Sequence, residues 1–238
     1  MQTETLVYTY EIIRQQDTDL IEKATACLVD TFLGVQVGDM WIQEPIIGYA
    51  LQLPYDDFYA FTKGYIEENV MQGYCAIALD ENRNVVGALV GDSNAFVIGE
   101  FPEFEGSFSN MNTVVEVLED IDERFLIDYK ARFGKDLEDG EVLHLFLLGI
   151  GAPNNRQEVV QQLGNLLHAQ ARKNDIKMIL AEATNPKSMR VLEKYHGLTK
   201  YITVDGEYIV HTYKDNENLE MIPESMADGI YIITKELA

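Results

Sequence analysis

The chain has 238 residues, 47% of them hydrophobic, enough for one sizeable core and patterned too continuously for two. Its 18 Lys and Arg against 40 Asp and Glu leave a formal charge of −22, which argues against nucleic-acid phosphates or anionic lipid as partners. That charge favours a cationic ligand, although solubility alone also accounts for it. No 18-residue apolar run is present, and Met1 to Thr5 lack the basic start and apolar core of a leader, so a cytoplasmic protein is expected.

In chain order, Cys27 falls in a first helical pattern and Cys75 in a strand pattern. Neither has the neighbours of a metal set, so both read as buried thiols and no metal is expected. Glu44 precedes Pro45, which pushes it into an extended conformation at a helix start. An acidic insertion occupies about residues 92–140. Asp92 to Asn94 and Phe101 to Glu103 read as loop, and Met111–Phe133 as an amphipathic helix. Its buried stripe is Val114, Val117, Leu118, Ile121, Phe125, Leu126 and Tyr129. The opposite face reads either as solvated surface or as part of a lid over an acceptor site.

Residues 141–150 are apolar on both faces, between Gly140 and Gly151, as in a buried central strand that Pro153 ends. Val159, Val160, Leu163, Leu166, Leu167 and Ala171 then recur at helical spacing. Residues 176–183 are short and β-prone. Asn185 caps a further helix with Pro186 at its first position and Gly197 at its close.

Leu147 to Ile150 with Pro153 resemble the fourth strand of the GNAT superfamily of N-acyltransferases. Asn185, Pro186 and Ser188 through Glu193, Lys194, Gly197 and Leu198 resemble its Asn-x-x-Ala…Glu-Lys-x-Gly-Phe signature. Residues 8–14 with an Asp17-initiated helix, the hairpin 74–79 and 85–90, and residues 202–213 and 229–234 look like its remaining strands. Trp41 to Ile46, with Glu44 and Pro45, resemble the Asp-Glu-Pro-Leu box of insect-type arylalkylamine N-acetyltransferases. Thr184 and Ser188 fall where that subfamily carries two serines four apart.

The resemblance implies an α/β (α+β) fold: a mixed, mostly antiparallel seven-stranded sheet with helices on both faces, in a single domain over 1–238. It implies transfer of an acyl group, acetyl first, from acyl-CoA to a small (aryl)alkylamine or polyamine, with acetyl-CoA as co-substrate. A homodimer through the sheet edges is left open by the residues.

Such a transfer needs a held thioester, a neutral amine and donors for the developing oxyanion. The resemblance places the pantetheine arm on the backbone of Leu148, Gly149 and Ile150, where glycine permits close approach at a bulge. It places the pyrophosphate on the next helix start, at Asn155, Arg156, Gln157, Glu158, Val159 and Val160, with Asn185 opening the last motif helix. The family's Arg/Gln-x-x-Gly-x-Gly/Ala is lost there: its positions hold Asn155, Glu158 and Val160, or one residue on, Arg156, Val159 and Gln161. Glu158 either complements the helix dipole, worth ~0.3–1 kcal/mol, or occupies the anion site. That departure keeps a second function open, a catalytically silent GNAT fold that binds or senses a ligand.

Glu44 is the first choice of base, acting through water with a raised pKa; the alternative is a solvent-exposed residue at a helix start. His144 is placed on one strand face with Val142, Phe146, Leu148 and Ile150, six residues before the bulge. It is either a proton carrier, as in serotonin-type relatives, or a hydrogen-bonded core residue. Leu192 stands where many GNAT enzymes carry a tyrosine acid, so the Thr184 and Ser188 hydroxyls are the candidates for that role, or else caps and packing residues. Acceptor contacts are expected from residues 38–53, the insertion and residues 214–228. Trp41, Tyr49, Tyr55, Phe58 and Tyr208 line either a pocket or the core.

Overall fold

The hydrophobic patterns condense into a sheet flanked by helices, seen in a computed structural model that describes residues 7–96, 99 and 101–237. Met1 to Thr5, read above against a leader, lie outside the described residues. In order come β1 (Thr9–Ile12), α1 (Thr18–Leu33), β2 (Val35–Val37), β3 (Met40–Ile42), α2 (Tyr55–Asn69), β4 (Cys75–Leu79) and β5 (Val85–Asp92). There follow α3 (Met111–Phe133), β6 (Val142–Ile150), α4 (Arg156–Lys173), β7 (Met178–Ala183), α5 (Pro186–Val191), β8 (Thr199–Lys200), β9 (Val210–Thr212) and β10 (Gly229–Glu236).

The sheet runs β1-β4-β5-β6-β7-β10-β8, with β9 also paired to β10. Each of these pairings is antiparallel except β6 with β7, the pair that α4 joins as a crossover. The expected strand over residues 202–213 is corrected to an isolated bridge from Ile202 to Tyr208 and the short β9, with β8 lying just ahead of that interval. Thr203 and Glu207 close a turn within the bridge, in which Gly206 takes φ +88°. The β2–β3 hairpin, turning at Gly38 with φ +59°, had no counterpart in the sequence reading.

On one face α4 presents Val159, Val160, Leu163 and Leu167 to Leu143, Leu145, Ile179, Ala181 and Ile233. On the other, α1 and α2 supply Ile21, Leu28 and Ile66 against Ile77, Ala88, Val90 and Leu147, and α3 covers Val142, Leu180 and Ile232 with Val117, Ile121 and Phe125. Full burial of each such side chain contributes about 1.5–3 kcal/mol.

Between Val90↔Leu147 and Gly91↔Leu145 the β5–β6 register shifts, so Phe146 is an extra residue in β6. Gly91 makes room for it: a Cβ there would lie 2.2 Å from the His144 carbonyl oxygen. The bulge therefore sits two residues after His144, not six, and it swaps the faces beyond it. Leu148 and Ile150 pack with the α4 layer, and Leu147 with α1 and α2, so His144 shares its face with Val142 and Leu147 instead of Leu148 and Ile150. Gly149 also has another purpose than expected, since a Cβ would meet Thr31 Oγ1 at 2.2 Å. Its bareness lets α1 close on the sheet.

The insertion helix is a fixed wall. Asp128, buried on α3, accepts from Tyr201 Oη at 2.6 Å and Val204 N at 2.7 Å and pairs with Arg132 at 3.3 Å. Arg132 donates to the Ile202 carbonyl at 2.5 Å, and Arg124 to the Val210 carbonyl at 2.8 Å. Asp128→Ala leaves these donors buried and unmatched, and should lower stability by about 2–3 kcal/mol. A urea unfolding midpoint unchanged from wild type would show that α3 is held by its apolar stripe alone.

Candidate functional site

β6 and β7 pair only at Val142↔Met178, Leu143↔Ile179 and His144↔Leu180. Beyond that, Leu145 to Ile150 pair with β5 alone while β7 runs on beside β10. The two strands part at the bulge, leaving one edge of β6 without a sheet partner. At the mouth of the split lies a cavity of about 50 Å³ lined by Glu44, Phe146, Leu147, Glu182, Thr184 and Ile230, and closed by Phe32, Ile46, Phe58, Phe61 and Met111. It has room for a few waters.

Glu44 is 8% exposed and caps a π-helical turn, Pro45–Ala50, accepting the Ile47 amide on Oε2 at 2.6 Å. Its own amide donates to the Phe32 carbonyl at the end of α1 at 2.9 Å, and Gln43 Nε2 holds the Leu33 carbonyl at 3.1 Å. A Cβ on Gly48 would meet that same Phe32 oxygen at 2.2 Å. The exposed-residue reading of Glu44 is thereby corrected. Burial pushes its pKa up to about 7 against the opposing effect of the Ile47 amide and the Thr184 hydroxyl beside it. Oε1 is buried with no hydrogen-bond partner among the described residues.

Next to this carboxyl is a buried ionic array. His144 Nε2 lies 2.7 Å from Glu182 Oε2 and Nδ1 lies 3.5 Å from Asp92 Oδ2, which also accepts from Tyr65 Oη at 2.5 Å. Burial opposes the imidazolium, but the Glu182 charge and the bonds to both carboxylates outweigh it and hold its pKa well above the usual range. Both ring nitrogens of His144 are thus set against carboxylates, Nε2 on Glu182 and Nδ1 toward Asp92. Asp122 on α3 joins the array, pushed up to about 8 by burial and by the Glu182 charge.

The remaining candidates divide. Thr184 lines the cavity with Glu44. Ser188 Oγ donates to the Asn185 carbonyl at 2.9 Å, and Asn185 Oδ1 caps α5 by accepting from Lys187 and Ser188, so both are engaged in the helix start. Leu192 is buried. Of the five aromatics considered for the pocket, Phe58 lines the cavity, whereas Trp41, Tyr55 and Tyr208 are exposed.

At the α4 N-terminus a second, open cavity of about 600 Å³ is lined by Pro153, Asn154, Asn155, Arg156, Gln157, Glu158, Gln161 and Tyr195. Asn155 takes the left-handed conformation, φ +55°, and the first turn has no side-chain cap, so its amides face this space. Val159 and Val160 do not thicken the loop, because both are buried against the sheet. Tyr195 Oη is buried with no partner among the described residues and belongs to the same cavity. Those amides and that hydroxyl suit a phosphate; the exposed Glu158 carboxylate opposes one.

Three residues here were missed. Tyr195 stands inside the motif segment and was readable from it. Glu182 and Tyr213, whose hydroxyl donates to the Thr184 carbonyl at 2.6 Å, become visible only through tertiary pairing.

Because folding raises the Glu44 pKa from 4.5 to about 7, its stabilising contribution is complete below pH 4.5 and is lost as pH rises to 7. Relative to Glu44→Gln, the wild type should lose about 2–3 kcal/mol between pH values of about 5 and about 8 in urea titrations. A constant difference would mean that the carboxyl is solvated.

No family model matches the sequence, and no curated protein matches it. Solved structures do. An agmatine N-acetyltransferase is 18% identical with a TM-score of 0.66, covering 97% of this chain and 99% of that one. The Drosophila melanogaster polyamine N-acetyltransferase is 16% identical, TM-score 0.64, covering 97% and 100%. Arylalkylamine N-acetyltransferase 2 from Aedes aegypti is 13% identical, TM-score 0.65, covering 97% and 99%. The likeness runs over nearly the whole chain: this chain has the GNAT fold of the arylalkylamine and polyamine N-acetyltransferases.

Proposed function

We infer that the chain is a single-domain, cytoplasmic acyl-CoA-dependent N-acyltransferase, moving an acetyl group from acetyl-CoA to a small (aryl)alkylamine or polyamine. The observation that carries this reading is the strand edge that opens where β6 and β7 part, with a buried carboxyl of pKa about 7 on one sheet face beyond it and an anion-suited helix start following β6. Acyl-CoA would supply an activated carbonyl. The first-turn amides at Arg156, Gln157 and Glu158 with Tyr195 would hold its phosphates, and the free edge of β6 at Leu148 to Ile150 its arm.

An acceptor ammonium ordinarily titrates near ~10, too high for a carboxylate to deprotonate in water. Burial has already suppressed the Glu44 charge, which narrows the gap from the side of the base. Glu44 then takes the proton through one of the few waters that fit, and the neutral nitrogen attacks the thioester carbonyl. The amide forms as the carbon–sulfur bond breaks, and the surplus proton on the acylated nitrogen passes through water to the leaving thiolate. Thr184 keeps a hydroxyl beside the base.

The ligand-sensing alternative retains one supporting observation, Glu158 lining the phosphate cavity. A thermal-shift panel of acetyl-CoA, longer acyl-CoAs and coenzyme A decides between them in part. Binding should stabilise the protein by about 2.7 kcal/mol at a hundredfold excess over Kd, and no shift with any thioester removes the reaction.

Glu44→Gln should reduce kcat at least about 10²-fold in a thiol-release assay with coenzyme A affinity unchanged. Full activity would assign the base elsewhere. Glu158→Gly should tighten coenzyme A about threefold or more in calorimetry, by removing a like charge from the anion site. Unchanged affinity would show that its carboxylate turns away from the ligand.

A further inference from the structure

We propose that Glu182 is the recognition carboxylate for the acceptor, taking a primary amine as its ammonium between itself and Glu44. This rests on the acyl-transfer reading and specifies what its acceptor site selects.

Glu182 leaves β7 two residues before Thr184, on the sheet face it shares with Leu180 and Ile232. Its side chain is 4% exposed. Oε2 is engaged by His144, but Oε1 is buried with no partner among the described residues. Glu44 repeats the arrangement, with Oε2 on the Ile47 amide and Oε1 unpartnered. Both residues line the same cavity, whose other walls are almost wholly apolar.

A carboxylate oxygen left unmatched away from water is costly, and one kept at a cavity calls for a donor to meet it. Two such oxygens on one small cavity define a place for a group with several N–H donors and a positive charge. The volume, about 50 Å³, has room for a small –NH₃⁺ head.

The surroundings keep this place negative. The charged groups around Glu182 are His144 on β6, Asp92 at the end of β5 with the Tyr65 hydroxyl of α2, and Asp122 and Glu119 on α3. Two carboxyl groups, Glu182 and Asp92, share the one imidazole of His144, so acidic groups outnumber basic ones where a cation would enter. A neutral alcohol offers a single donor and no charge, so it would leave one carboxylate unmatched.

The test is calorimetric titration of the full chain with ethylammonium, phenethylammonium and 1,4-diaminobutane, against 2-phenylethanol as the uncharged probe. The wild type should bind at least one ammonium and not the alcohol, and Glu182→Gln should weaken that ammonium about tenfold or more. In turnover, KM for the amine should rise while KM for acetyl-CoA stays within about twofold. Glu182→Asp, which keeps the charge, should fall between the two and serves if the glutamine variant does not fold.

No ammonium binding to wild type, equal binding by Glu182→Gln, or a parallel rise in both KM values would overturn the assignment. Coenzyme A binding is scored separately: its failure removes the acyl-transfer reading, while the ammonium titration still decides the role of Glu182.

Discussion

Two neighbouring parallel strands that stop pairing after three residues are the constraint on which the rest of this molecule depends. Backbone donors along β6 beyond His144 forgo a sheet partner, a cost that native proteins keep only where something else meets those groups. The cause is local. One additional residue, Phe146, bends β6 toward β5, and Gly91 opposite has no side chain to prevent it. With the strands parted, the end of β7 and the turn carrying Glu44 come to face one cavity, which uninterrupted pairing would have closed.

Acidic side chains, abundant on the surface, also enter the interior, and there their effect differs. Outside, they are solvated and screened. Inside, Glu182, Asp92 and Asp122 gather around the single imidazole of His144, under the cover of α3. His144 fits the reading of a hydrogen-bonded core residue, its ring set between the buried carboxyl groups of Glu182 and Asp92.

What the sequence made legible was whatever local periodicity and caps determine. The helix Met111–Phe133 appears with both of its expected ends, since its stripe is unbroken and Gly134 adopts the left-handed conformation that stops it. The central strand, the Asn185 cap and the Glu-Pro turn were equally readable. What stayed hidden depends on partners far along the chain. The bulge at Phe146 is a property of two strands, and it inverted the expected face of Leu148 and Ile150. The inward direction of Val159 and Val160 follows from how α4 rolls against the sheet, and the burial of Glu44 from α1 and α2. Glu182 sat unnoticed within a β-prone run because only the cross-sheet register shows His144 and Asp92 beside it.

The last turn of α1 touches both halves of the chemistry. Through Thr31 it rests on bare Gly149 of the donor strand, and through the Phe32 carbonyl it holds the amide of Glu44. Base and strand therefore take their positions from one helix end, which serves both as a common datum. A lengthened or shortened α1 would shift that datum even if every side chain at the cavity were preserved.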